Sequence, residues 1–217
     1  VYHRFIERGG VVPVPFGVVG LSHHTAPRAL RSRAGIPTED IPGFLTLARA
    51  AGLRECVVLS TCNRTEIYFS GAESETVKEL IARYSEIPVQ ELSPHLYEKA
   101  CVCAACHLFR VTAGLDSMVL GETEIVAQVK DAWKTSANAG LTGPNIDLLF
   151  QRSLEASKRI RSETALCRNV TSTGSLAVRA ARAQFGSFDG AEIVVLGAGT
   201  IGERVVRELS SAGAQRV

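Results

Sequence analysis

The chain has 217 residues, and its 24 lysines and arginines against 22 aspartates and glutamates leave a formal charge of +2. With 46% hydrophobic and 21% charged residues it holds enough apolar material for a packed core, which excludes disordered, collagen-like and low-complexity chains. A balance this near neutral also excludes nucleic-acid binding through bulk charge, and leaves a local basic face as the means for any such partner.

Six cysteines, Cys56, Cys62, Cys101, Cys103, Cys106 and Cys167, are irregularly spaced in a chain too long to need staples, and read as reduced thiols of a cytoplasmic protein. No run approaches the roughly 18 apolar residues of a membrane span, so no membrane partner is expected. Residues 11–21 follow Arg4 and Arg8 in the manner of a signal peptide, but Pro13 and Pro15 interrupt them and no small-x-small cleavage site follows. A first residue that is valine reads as a non-Met start or a fragment.

In chain order, residues 14–21 predict a buried strand, and Thr38 is expected to cap a helix over 41–51 that Gly52 stops. Short β-rich runs at 55–61 and 66–70 predict two strands, with Thr61-Cys-Asn-Arg64 at their junction. Helices are expected near 73–86, 100–114, 122–138, 145–164 and 175–185, the last running into a turn at 186–190. Residues 191–213 then read as a strand, a glycine turn and an amphipathic helix with Val205, Val206 and Leu209 on one face. A boundary near 188 divides a first domain, 1–187, from a second, 188–217, which is a single βα unit unable to bury a sheet by itself. No internal repeat is present.

Gly197-Ala198-Gly199-Thr200-Ile201-Gly202 is G-x-G-x-x-G between an expected strand and an expected helix, the context in which glycines bring backbone close to a pyrophosphate at a helix N-terminus. A glycine-rich turn without ligand is the plainer alternative. Cys62 ends an apolar strand beside Thr61, Asn63 and Arg64; a nearby cation favours the thiolate, so a nucleophilic role stands against that of a small buried thiol. Arg64 is suited to clamping a carboxylate or to a surface ion pair with Glu66.

Cys103-Ala-Ala-Cys106-His107 fits C-x-x-C-H, the pattern of covalent haem attachment, yet it lies in an apolar helical run and lacks an export signal. The cysteines there read as small core residues, and neither metal nor haem is expected. His107 reads as a polar group at a site or a satisfied core histidine. Glu122 and Glu124 suit a helix first turn, with Gln128 one turn on from Glu124; Ile125, Val129 and Trp133 occupy another face. The basic residues Arg152, Lys158, Arg159, Arg161 and Arg168 could meet phosphates or form a solvated face.

Taken in order, Gly20-Leu-Ser-His-His-Thr-Ala-Pro27, the segment 59–68 around Cys62, the segment 107–122 ending in Gly121-Glu122, Gln128-Val-Lys130, Lys158-Arg-Ile-Arg-Ser-Glu-Thr164 and the glycine fingerprint resemble the glutamyl-tRNA reductase family. The resemblance implies an α/β chain: an α+β catalytic domain with a helical half, followed by the first βα unit of a truncated Rossmann domain. It implies NADPH-dependent reduction of glutamyl-tRNA to glutamate-1-semialdehyde, the first step of the five-carbon route to tetrapyrroles. By the same resemblance Cys62 is the nucleophile that forms a thioester and His107 its neighbour. Thr61, Asn63, Arg64, Ser117, Glu122, Thr123, Glu124 and Gln128 surround the glutamyl group, with Arg64 partnering its side-chain carboxylate. Residues 197–202 would hold NADPH.

The implied partners are glutamyl-tRNA, a second subunit in a homodimer, and the aminomutase that takes the aldehyde. Two positions depart from most relatives, which carry Gln where Glu124 stands and often an acid at Ser32. Relatives continue past Val217 with the rest of the NADPH domain and a helical dimerisation domain, so this chain is expected to form the cysteine site without binding NADPH productively. A non-catalytic tRNA-binding or regulatory homologue is the second reading, and a c-type cytochrome the third.

Overall fold

Two of the four strands here are nearly continuous apolar runs buried on both faces, and a third is as fully buried although polar residues alternate along it. The computed structural model describes residues 16–166 and 173–217. β1 (Phe16–Ser22), β2 (Glu55–Ser60), β3 (Arg64–Ser70) and β4 (Tyr97–Ala100) form one antiparallel sheet in the order β2-β3-β1-β4. β1 and β3 are buried along their whole length, whereas the edge strand β4 alternates between half-buried and exposed.

Side chains alternate across the pleat, so each strand feeds two cores. Val19, Leu21, Val58, Ile67 and Phe69 pack toward α1 (Arg28–Arg33), α2 (Ile41–Ala50) and α3 (Ser74–Ser85). Val18, Val57, Leu59 and Tyr68 face the other way, onto α5 (Cys101–Thr112), α6 (Glu124–Asn138) and α7 (Pro144–Glu163), with Phe150 of α7 against the Tyr68 ring at 5.4 Å. A short helix α4 (Val89–Leu92) precedes β4. The mixed helix-and-sheet class expected from the sequence is the one observed. α5 and α7 approach through small hydroxyl residues, Ser157 Oγ donating to the Thr112 carbonyl at 2.9 Å. Buried Glu55 accepts from the Asn145 amide in the first turn of α7, satisfying one of the free N–H groups there.

Several local expectations are corrected. Thr38 does not cap α2: it opens a 3₁₀ turn (Thr38–Asp40), and α2 begins after it at Ile41. β3 starts at Arg64 rather than 66, because pairing with β1 reaches Ser22↔Arg64. α1, α4 and β4 carried no recognised signal; β4 is polar and four residues long, and it becomes a strand by pairing with β1. Residues 14 and 15 of the first expected strand, Arg168 and Cys167 lie outside the described residues.

The largest correction is at 191–196, where a strand was expected. It makes one parallel bridge, Glu192↔Arg216, with the Ile193 amide donating to the Arg216 carbonyl at 3.1 Å, and Leu196 is 94% exposed. A strand exists only through its ladder, and a single bridge supplies too little of one. α8 (Thr173–Phe185) and α9 (Thr200–Ser211) share a small core of Val178, Phe188 and Leu209. Val205 packs against that core, while Val206 is turned outward. Among the described residues no helix is long and apolar enough to cross a membrane.

Candidate active site

β2 and β3 form a hairpin whose tip carries Cys62 and Asn63. The turn is closed by Thr61, whose amide donates to the Arg64 carbonyl at 2.8 Å while its Oγ1 accepts from the amides of Asn63 and Arg64, both at 3.2 Å. The Asn63 carbonyl accepts from the His23 amide at 2.9 Å, fastening the tip to the end of β1. Cys62 is thereby exposed on a fixed turn, correcting the alternative of a small buried thiol.

Beneath the tip, Arg64, Glu66 and Tyr68 alternate down one face of β3 toward α5. The carboxylate and guanidinium are fully buried, so the Arg64–Glu66 ion pair, one of the two roles open to Arg64 from sequence, forms inside the protein and not at its surface. Glu66 Oε1 accepts from Arg64 at 2.8 Å, from the Tyr97 hydroxyl at 2.5 Å and from His107 Nε2 at 2.9 Å; Oε2 accepts from the Tyr68 hydroxyl at 2.6 Å. Four donors on one carboxylate satisfy the lone pairs that burial would otherwise strand. Burial alone would raise the Glu66 carboxyl, but the His107 hydrogen bond and the Arg64 charge outweigh it and hold the group down at about 2. Burial and the Glu66 charge push both tyrosine hydroxyls up, so they remain donors.

Arg64 is also held by Asp116, whose carboxylate lies 3.0 Å away and whose carbonyl accepts at 2.5 Å. Asp116 comes from the loop 113–123, which is clasped at its base where the Gly121 amide donates to the Gly114 carbonyl at 2.9 Å. A side chain at Gly114 would stand 3.1 Å from Gly121 Cα, and its φ of 74° is a conformation glycine adopts without strain. Arg161 of α7 pins the same loop by donating to the Glu122 carbonyl at 2.8 Å, so this residue of the basic stretch serves structure. Two buried polar atoms near this pair have no protein partner, His23 Nδ1 and Ser117 Oγ. Burial, then the neighbouring His24 ring and the Arg64 charge, lowers His23 below its ordinary value and favours the neutral imidazole.

Of the residues singled out in the sequence, Cys62, Thr61, Asn63, Arg64 and Ser117 thus gather around the hairpin tip and loop, with His107 joined to Arg64 through Glu66. Glu122 and Thr123 follow in the loop; Gln128 lies on exposed α6 surface. Glu124 is instead ion-paired with Arg204 of α9. Glu66, Tyr97, Asp116 and His23 were not recognised as site residues. Glu66 could have been found by its period-2 spacing from Arg64; Tyr97 and Asp116 are 31 and 52 residues from their bonding partners and left no local signal.

The cysteines of α5 also need correcting. α5 buries Ala104, His107, Leu108 and Val111, one helical stripe, and Cys103 and Cys106 fall off it and are exposed, with Cys101 half-buried. Among the described residues no group of histidine, cysteine and acidic side chains is arranged to hold a metal.

The model of the family described as glutamyl-tRNAGlu reductase, N-terminal domain, matches residues 19–164, which covers the sheet apart from the first three residues of β1, the hairpin tip and the loop 113–123. The chain belongs to the glutamyl-tRNA reductase family. It is 39% identical over 200 residues to the glutamyl-tRNA reductase of Desulforudis audaxviator, covering 90% of this chain and 45% of that one. The corresponding figures for the glutamyl-tRNA reductase of Deinococcus radiodurans are 41% over 206 residues, 94% and 57%. Among solved structures, glutamyl-tRNA reductase from Methanopyrus kandleri superposes with a TM-score of 0.67 at 32% identity, over 92% of this chain and 47% of that one. The chain therefore spans about half the length of the curated relatives it matches.

Proposed function

We propose that this chain carries the acyl-transfer half of glutamyl-tRNA reduction, with Cys62 as the nucleophile. The observation that carries the reading is an exposed thiol on a hydrogen-bonded hairpin tip whose second strand carries a buried arginine–glutamate pair bonded to a histidine, in a chain of this family. In the proposed step Sγ of the thiolate bonds to the carbonyl carbon of the glutamyl ester. The ester C–O bond breaks, and the terminal ribose oxygen of the tRNA leaves as a hydroxyl, taking the proton that the Cys62 thiol gave up in forming the thiolate. The glutamyl group is then held as a thioester, a better hydride acceptor than a carboxylate and one kept in place by its covalent link.

Arg64 is already engaged by Glu66 and Asp116, so its proposed role toward the glutamyl carboxylate is electrostatic and orienting.

For NADPH, the glycines of the loop 197–202 are what supports the reading. Gly197 has φ 125°, an added side chain at Gly202 would run into the Gly197 carbonyl, and nothing within 4 Å would meet one at Gly199. Gly197, Ala198, Gly199, Thr200, Ile201 and Gly202 would hold the pyrophosphate at the start of α9, and NADPH held there would supply the hydride for release of glutamate-1-semialdehyde. A second subunit and an aldehyde-consuming aminomutase are the further partners this reading implies.

The test is transfer of label from radiolabelled glutamyl-tRNA to the protein without NADPH, wild type beside Cys62→Ser. A hydroxylamine-labile adduct on wild type alone is expected. Binding of the charged tRNA with neither adduct nor released glutamate would instead establish the non-catalytic homologue.

A further inference from the structure

We propose that Tyr97, on the edge strand β4, is a positioning residue that acts through Glu66 to keep His107 in its Nε2–H form. Tyr97 and Glu66 sit on strands separated by β1, and the register places Gly20 of β1 opposite both. Strands spaced roughly 4.8 Å apart put the two residues almost 10 Å apart at the backbone, too far to bond unless the position between them is empty. Gly20 leaves it empty: a Cβ there would lie 2.6 Å from the Thr65 carbonyl and 2.9 Å from Glu66 Cγ. Across that gap the Tyr97 hydroxyl donates to Glu66 Oε1 and lies 3.4 Å from His107 Nε2. Its ring packs edge-on against the imidazole at 5.3 Å, with the Lys99 ammonium 5.4 Å from the ring centroid.

Glu66 is ionised and accepts only, so the His107 nitrogen bonded to it must carry a proton whether the ring is neutral or charged. The lone pair of neutral His107 is therefore on Nδ1, which no protein group among the described residues engages. Tyr97 fixes the carboxylate oxygen that enforces this choice. Without its hydroxyl, Oε1 keeps the Arg64 bond but loses the donor that aims it at His107, so the bond to Nε2 is released and the second tautomer becomes populated.

The inference about tautomer stands on the geometry alone; its consequence for rate rests on the acyl-transfer reading above. The experiment is long-range 15N–1H NMR of the histidine rings in wild type and Tyr97→Phe, beside the rate of thioester formation from glutamyl-tRNA. Expected are a single Nε2–H form of His107 in wild type and a mixture in the variant. The maximal acylation rate should fall about tenfold at unchanged KM, the factor one hydrogen bond to a charged group controls. A wild-type His107 that is mixed or Nδ1–H overturns the proposal without reference to any variant. So does a variant with the wild-type tautomer and rate. If wild type forms no thioester, the acyl-transfer reading fails, and the NMR comparison still decides the role of Tyr97.

Discussion

Glu66→Gln separates shape from charge at the centre of the site. The carboxylate accepts from Arg64, Tyr97 and His107 on one oxygen and Tyr68 on the other, at 2.5 to 2.9 Å. Glutamine keeps one acceptor and turns an NH2 toward a group that also donates, so a buried donor loses its partner, and Arg64 is left with Asp116. Breaking a buried pair costs about 3–5 kcal/mol. Independently, depression of the Glu66 carboxyl from 4.5 to about 2 corresponds to about 3 kcal/mol at neutral pH. Because Asp116 remains, we expect the lower figure, about 3 kcal/mol, or about 6–12 °C in Tm for a chain of this size.

Urea and thermal unfolding of both proteins between pH 7 and pH 3 supply the assay. The folded pKa lies below the unfolded one, so the carboxylate's contribution is complete above about 4.5 and is lost as pH falls through about 2. The gap between wild type and variant should hold steady above about pH 5 and narrow below it. A loss under about 1 kcal/mol at pH 7, or a gap that does not narrow on acidification, would refute the reasoning.

Gly20→Ala places a methyl group against Thr65 and Glu66 and should lower stability by about 1–3 kcal/mol in urea titration. Phe150→Ala removes a fully buried ring packed on Tyr68 and Trp133 and should cost about 3–5 kcal/mol by the same measurement. Arg204→Ala breaks a partly exposed ion pair with Glu124 and should change the unfolding free energy by less than about 1 kcal/mol. Cys62→Ser, on an exposed turn, should change the unfolding free energy by less than about 0.5 kcal/mol while abolishing the glutamyl adduct.

Periodicity alone located the elements whose sequence is self-sufficient. Phe16–Ser22 and Glu55–Ser60 are apolar runs too short for helices, and α5, α6 and α7 show a stripe at three- and four-residue spacing, so local burial and secondary structure agree. Cys62, Arg64 and His107 were legible as candidates for a related reason: thiol, cation and imidazole are rare enough in apolar strands and helices to stand out. What periodicity could not give was any feature made by pairing. β4 is polar and is a strand because β1 lies beside it, and 191–196 is apolar and is not a strand because one bridge is its whole ladder.

The same division runs through the site. Residue chemistry and motif order determined the family and the nucleophile candidate, because those are properties of the chain read along its length. Tertiary structure decided that Arg64 is buried against Glu66 and Asp116, that Cys103 and Cys106 point outward, and that Tyr97 reaches Glu66 over Gly20. Each of those depends on the register of three strands and the docking of one loop, and the partners that satisfy a buried charge are selected by distance in space, not along the chain.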